Sequence, residues 1–139
     1  MTTIPTSHRD LLEAPVGILA TQGADGYPHG YPQVTALWFL LDDDGLVKLS
    51  LNTARQKVKN LREHPECTFF VLDPANPYRT LEIRARAEVR PDEQYTFADK
   101  VGQKYGGTDF RAMDQPGEER VIVTLHPVKV NTWGDAAAS

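Results

Sequence analysis

Arg55, Lys57, Lys59 and Arg62 form a run of cations with no acid before Glu63, in a chain whose formal net charge is -4. The pattern sets them on a helix that opens at Thr53. Thr53 with Gln56 three residues on is the capping-box pairing, Val58 and Leu61 supply a buried stripe, and Pro65 stops the helix. Helix physics opposes this arrangement, because the orphan N–H groups at the start already carry about half a positive charge, and each added cation there costs roughly 0.3–1 kcal/mol. Two readings follow: a solvated basic face, or a site where side chains and N–H groups converge on a bound anion. The cap, the position directly after a strand and the acidic background favour the anion.

Other chemistry is harder to place. His8, His29, His64 and His126 show no spacing that would put two imidazoles on one metal, and Cys67, beside Phe69 in an apolar run, reads as a small core residue. No Ser/His/Asp set, paired carboxylate, G-x-G-x-x-G or Walker pattern is present, so no catalytic residue is assigned. Tyr31 or Tyr78 could donate a proton, and nothing in the sequence singles out either. The acidic balance argues against general nucleic-acid binding, which needs a broad basic face. No apolar run reaches the ~20 residues of a membrane helix, and the start of the chain lacks a secretory pattern, so a cytoplasmic location is expected.

These residues need a scaffold, and 139 residues with 40% hydrophobic content suit one domain spanning 1–139. Thr6 or Ser7 can cap a short helix carrying Leu11 and Leu12, ended by Pro15. Val16 to Thr21 reads as a strand, Ala24-Asp25-Gly26 as a turn, and His29 to Leu41 as the returning strand. Leu46 to Leu51 alternates, with Val47, Leu49 and Leu51 on one face, and the helix from Thr53 follows. Thr68 to Leu72 is a compact strand, Asp73 to Pro77 a rigid loop, and Leu81 to Val89 the clearest alternation of all. A helix over Glu93 to Tyr105 and a Gly-rich loop lead to a last strand, Val121–Leu125 with Val128–Val130, in which Pro127 implies an edge or a bulge. Six strands in meander order without βαβ alternation predict a mainly β protein, a six-stranded antiparallel split barrel with a few short helices. The tail Ala136 to Ser139 is expected to be loose.

The run Gly17 to Thr21, Asp25-Gly26-Tyr27-Pro28, Trp38-Phe39, Ser50, Arg55-x-Lys57-x-x-Asn60-Leu61, Pro65, Leu81-Glu82-Ile83 and Ala85-x-Ala87 resembles the pyridoxamine 5'-phosphate oxidase-like split-barrel superfamily. It is most similar to the branch of deazaflavin (coenzyme F420)-dependent reductases. The resemblance implies a phosphate on the helix after the third strand, with Arg55 and Lys57 holding it and Gln56 and Asn60 close by. It also implies that Gln33, Val34, Thr35, Ser50 and Asn52 flank the ring or its ribityl chain. A loop carrying Tyr78, Arg79 and Thr80 would reach the cofactor of the other subunit of a homodimer, where Arg79 would suit a polyacid tail. An exposed loop lip is the alternative for Tyr78 and Arg79. Trp133 either walls the pocket or packs. No Arg/His cluster follows Trp133, which argues against oxidation of pyridoxamine phosphate itself.

Three readings result. One is an F420-dependent oxidoreductase acting on a small conjugated or quinone-like acceptor. The others are an FMN-binding oxidoreductase or electron carrier on the same barrel, and a non-enzymatic dimer holding flavin or haem. Lys57 together with Arg79 favours the first, because two separated cations suit a phosphate and a polyacid tail. A C2 dimer is expected from the alternating charges Glu82, Arg84, Arg86 and Glu88 and from the small size of the chain.

Overall fold

The computed structural model describes residues 2–24 and 31–135. The turn at Asp25-Gly26, the motif residues Tyr27 and Pro28, His29 and the tail from Ala136 lie outside them. A 3-10 helix, Thr6–Glu13, leads into β1 (Gly17–Thr21), β2 (Gln33–Leu37), β3 (Leu40–Leu41) and β4 (Val47–Asn52). Then come α1 (Gln56–Glu63), β5 (Glu66–Asp73), β6 (Asn76–Pro91), α2 (Thr96–Lys104), a short 3-10 turn at Phe110–Ala112, and β7 (Arg120–Trp133).

All pairings are antiparallel, in one seven-stranded sheet ordered β2-β1-β5-β6-β7-β4-β3. The sheet curls into a half-barrel, the mainly β split-barrel architecture expected, with one strand more than the six predicted. The extra strand comes from the segment read as continuous from His29 to Leu41. Gln33–Leu37 pairs with β1 at one edge of the sheet, and Leu40–Leu41 pairs with β4 at the other. Trp38 and Phe39 make the crossing. At Phe39 the ladder is replaced by side chains from the end of α2: Tyr105 Oη accepts from Phe39 N at 3.0 Å, and Lys104 Nζ donates to Phe39 O at 2.8 Å. Leu37 and Phe39 both point inward, so the side-chain alternation runs unbroken through a change of strand partner.

Inward side chains follow the period of two. Val47, Leu49 and Leu51 of β4, Cys67, Phe69 and Val71 of β5, Leu81, Ile83 and Ala85 of β6, and Val121, Val123 and Leu125 of β7 form one core. Each large member contributes roughly 1.5–3 kcal/mol of burial. Phe39 and Phe69 meet edge to face at 4.9 Å in its middle. Leu11 and Leu12 close one end of the barrel, and Val58 and Leu61 of α1 close the other.

Several boundaries moved for local reasons. The first helix is 3-10 in form and is preceded by Pro5 without a side-chain cap, while the Ser7 hydroxyl bonds His8 Nδ1 at 2.8 Å. The segment Asp73 to Pro77 is a tight turn rather than a loop: Asp73 pairs with Asn76, and Asp73 Oδ1 accepts from Ala75 N at 2.9 Å. Tyr78, Arg79 and Thr80 therefore stand in β6. Pro127 sits at a register shift opposite Arg84 and Ala85, the bulge that a proline requires there. No helix of the described residues is long and apolar enough to cross a membrane.

Candidate functional site

The helix carrying the basic run starts later than the capping box predicts. Thr53 is tied to the approach to β7, its N–H donating to Glu119 O at 2.9 Å and its Oγ1 accepting from Glu119 N at 3.2 Å. Asn52 turns the chain instead, with Oδ1 accepting from Ala54 N at 2.8 Å. Arg55 occupies the cap position without a side-chain cap bond, and Gln56 gives its Nε2 to Asn60 Oδ1 rather than to the helix start. The cations thus lie nearer the positive end than the sequence indicates. Arg55 is exposed and Lys57 half-buried, and neither side chain has a hydrogen-bond or carboxylate partner among the described residues. The backbone N–H groups of Gln56 and Lys57 also lack a partner there. Burial, and then the Arg55 charge, hold the Lys57 ammonium below its usual range. Among the described residues, two N–H groups without partners and two cations without counter-ions have the donor set and the charge that a phosphate requires.

Behind this start lies Asn60, fully buried, with every side-chain hydrogen-bonding position taken by protein. Its Oδ1 accepts from Ala24 N at 2.9 Å and from Gln56, and its Nδ2 donates to Thr21 Oγ1 at 3.0 Å and Gln33 Oε1 at 3.2 Å. Gln33, Gln56 and Asn60 are therefore brought together. Val34 points away from the core and is 61% exposed, Thr35 faces inward, and β2 is an edge strand whose alternate backbone groups point away from β1.

Ser50 and Asn52 belong to a second, closed network. Asn52 Nδ2 donates to Asp114 Oδ1 at 2.8 Å and Glu118 Oε1 at 3.0 Å, and Arg120 Nη1 reaches Ser50 O and Oγ at 3.3 Å. At its centre Arg120 grips Asp114 through Nε at 3.0 Å and Nη2 at 2.9 Å, and Tyr95 Oη donates to the same carboxylate at 2.6 Å. Burial pushes the Asp114 pKa up, but the bonds from Arg120, Tyr95 and Asn52 outweigh it and hold the group at about 2. A cavity of about 280 Å³ between Arg55, Asn52, Met113 and Arg120 adjoins this network.

The third predicted group lies elsewhere. Arg79 stands eight residues from Ala87 along β6, a span of ~26 Å at ~3.3 Å per residue, and Ala87 N bonds Pro65 O just past α1. Its guanidinium is buried and gives all its donors to this chain. Nη1 and Nη2 clamp Asp10 at 2.9 and 2.6 Å, Nη1 also reaches Asp73 at 3.3 Å, Nη2 reaches Ser7 O at 2.7 Å, and Nε reaches Asp135 O at 2.8 Å. All five of its donors are engaged within the chain, where it ties the two ends to the β5–β6 turn. Tyr78 beside it is 77% exposed, Thr80 half-buried, and Trp133, paired with Thr80, 72% exposed. Cys67 is a core residue whose thiol burial pushes up to about 12.

The sequence matches the pyridoxamine 5'-phosphate oxidase family over residues 4–134. The chain belongs to that family. Among solved structures it is similar to an F420 reductase, with 35% identity, 92% of this chain and 98% of that one covered, and a TM-score of 0.75. A conserved hypothetical protein of Mycobacterium tuberculosis follows at 27% identity, covering 96% and 86% of the two chains with a TM-score of 0.72. A heme storage protein of Vibrio cholerae, at 16% identity, 97% and 98% coverage and a TM-score of 0.72, shares the fold. Comparison with curated protein sequences gives no match.

Proposed function

We propose that this family member is an F420-dependent reductase whose cofactor phosphate rests on the start of α1. The observation that carries the reading is the set at that helix that has no partner among the described residues: two N–H groups, Arg55 and half-buried Lys57. The set fits a phosphate, and F420 and FMN both carry one. With Arg79 engaged inside the chain, the choice of the deazaflavin rests on the similarity to the F420 reductase. When bound, F420 supplies the hydride chemistry. The chain's own part is to hold the phosphate with Arg55 and Lys57, to present the edge of β2 at Gln33, Val34 and Thr35, and to exclude water. The acceptor proposed is small and conjugated or quinone-like.

The site is completed in this reading by a second copy of the chain. The outer face of β2, β1 and β5 carries Val34, Ala36, Ile18, Ala20, Phe70 and Leu72, with Val16 just before β1; Val34 is 61%, Val16 45% and Leu72 37% exposed. Such a patch favours association. The charges Glu82, Arg84, Arg86 and Glu88 each have a partner within the chain: Arg84 meets Glu82 at 3.2 Å, Arg86 meets Glu66 at 2.7 Å and Arg90 meets Glu88 at 2.8 Å. Titrating the apo protein with F420 and with FMN tests the assignment. Tighter binding of F420 is expected, and firm FMN binding without measurable F420 affinity would move the protein to the flavin reading.

A further inference from the structure

α1 has eight residues, and its large apolar anchors are Val58 and Leu61. Apolar contact is non-directional, so two side chains on one stripe hold the helix on the barrel end but set its tilt and axial position poorly. Direction comes from hydrogen bonds. Those of Asn60 run to four places: Thr21 on β1, Gln33 on β2, the chain after β1 at Ala24, and Gln56 one turn back on α1 itself. An Asn side chain has two donors and an acceptor oxygen with two lone pairs, and here all four are engaged. Gln56 is also the first helical residue, one of the two whose backbone N–H has no partner among the described residues.

We propose that Asn60 is the positioning residue of the anion cradle. It touches no ligand. By locking α1 to both strands and holding the Gln56 side chain back, it fixes where the N–H groups of Gln56 and Lys57 point and keeps Gln56 from folding over them. The inference rests on the anion reading of α1 given above. It assigns to the Asn of Arg55-x-Lys57-x-x-Asn60 a role different from ligand contact, since its amide is fully buried and fully bonded.

The test is cofactor affinity at about 10 °C, where circular dichroism shows each variant folded, for wild type, Lys57→Ala, Asn60→Ala and Thr21→Val with F420 as probe. Misplacement of donors by a fraction of an ångström weakens binding steeply, so Asn60→Ala is expected to lose roughly tenfold or more in affinity although Arg55 and Lys57 are intact. Thr21→Val, which removes the spoke to β1, is expected to lose roughly threefold. Amide hydrogen exchange at Ala24 should accelerate in Asn60→Ala, which reports the broken bond directly. A lower melting temperature with unchanged affinity at 10 °C would make Asn60 merely structural and overturn the proposal. Should Asn60→Ala fail to fold, unchanged affinity in Thr21→Val overturns it equally. If wild type binds F420 and Lys57→Ala weakens it while Asn60→Ala does not, this inference fails and the anion reading stands. If Lys57→Ala changes nothing, both fail.

Discussion

Replacing Asp114 by Asn should destabilise the fold in a pH-dependent way. Asp114 and Arg120 are 5% and 7% exposed and bonded bidentately, with Tyr95 and Asn52 on the same carboxylate. The drop of the carboxyl pKa from its ordinary 3.8 to about 2 corresponds to roughly 2.4 kcal/mol, at ~1.36 kcal/mol per decade. The sign follows from linkage. The folded value is depressed, so this stability is fully present above pH ~4 and is lost as pH falls through about 2. Asp114→Asn also leaves the Arg120 guanidinium buried without its counter-charge, for which breaking a buried pair costs about 3–5 kcal/mol. Urea denaturation at pH 7 should therefore place the variant about 3 kcal/mol below wild type, and the gap should narrow steadily from pH 4 to pH 2. Pairing the change with Arg120→Met should recover part of the loss, because an apolar replacement removes the stranded charge. A gap below ~0.5 kcal/mol at pH 7 would put the pair among the surface ion pairs and refute the reasoning. So would a gap that is constant with pH.

Arg79→Lys should lower the melting temperature and speed amide exchange over residues 6–13, because lysine cannot span Asp10, Ser7 O and Asp135 O together, while cofactor affinity at low temperature stays unchanged. Lost affinity with unaltered exchange would return Arg79 to the cofactor. Val34→Glu, placing a charge in the middle of the outer apolar patch, should shift light scattering from dimer to monomer. A wild-type protein that scatters as a stable monomer with full cofactor affinity contradicts the two-copy site.

The barrel was legible because its strands obey a period of two: the inward sets of β4 and β6 stand in the sequence as they do in the core. The crossing at Trp38 and Phe39 was not, since alternation reports which face a residue takes and not which strand it pairs with. The internal ties of Arg79 also leave a mark in the sequence. This residue shares the inward parity of Leu81, Ile83 and Ala85, and a charged residue at a core position needs a carboxylate partner, which Asp10 provides from 69 residues away. The Asp114–Arg120 network left no such mark, because Tyr95, Asn52 and Asp114 come from three separate segments. The basic start of α1 was readable from charge against the helix dipole, although the capping box that framed it is not formed. Asn60 read as a ligand contact because sequence cannot tell an amide facing a ligand from one facing Thr21 and Gln33.

The central claim is that α1 begins in a phosphate site, and the most direct measurement is F420 affinity for Arg55→Ala, Lys57→Ala and the control Lys59→Ala, alongside the stability of each apo protein. Loss of a charge-assisted bond is worth about 1.5–3 kcal/mol, so the first two should each bind roughly tenfold or more weakly, and the control should match wild type. Because burial and Arg55 hold the Lys57 pKa down, the charged lysine destabilises the empty protein, and apo Lys57→Ala should be as stable as wild type or more so. Wild-type affinity should also fall as alkaline pH neutralises Lys57. Unchanged affinity in Lys57→Ala, with or without a change in Arg55→Ala, would contradict the account.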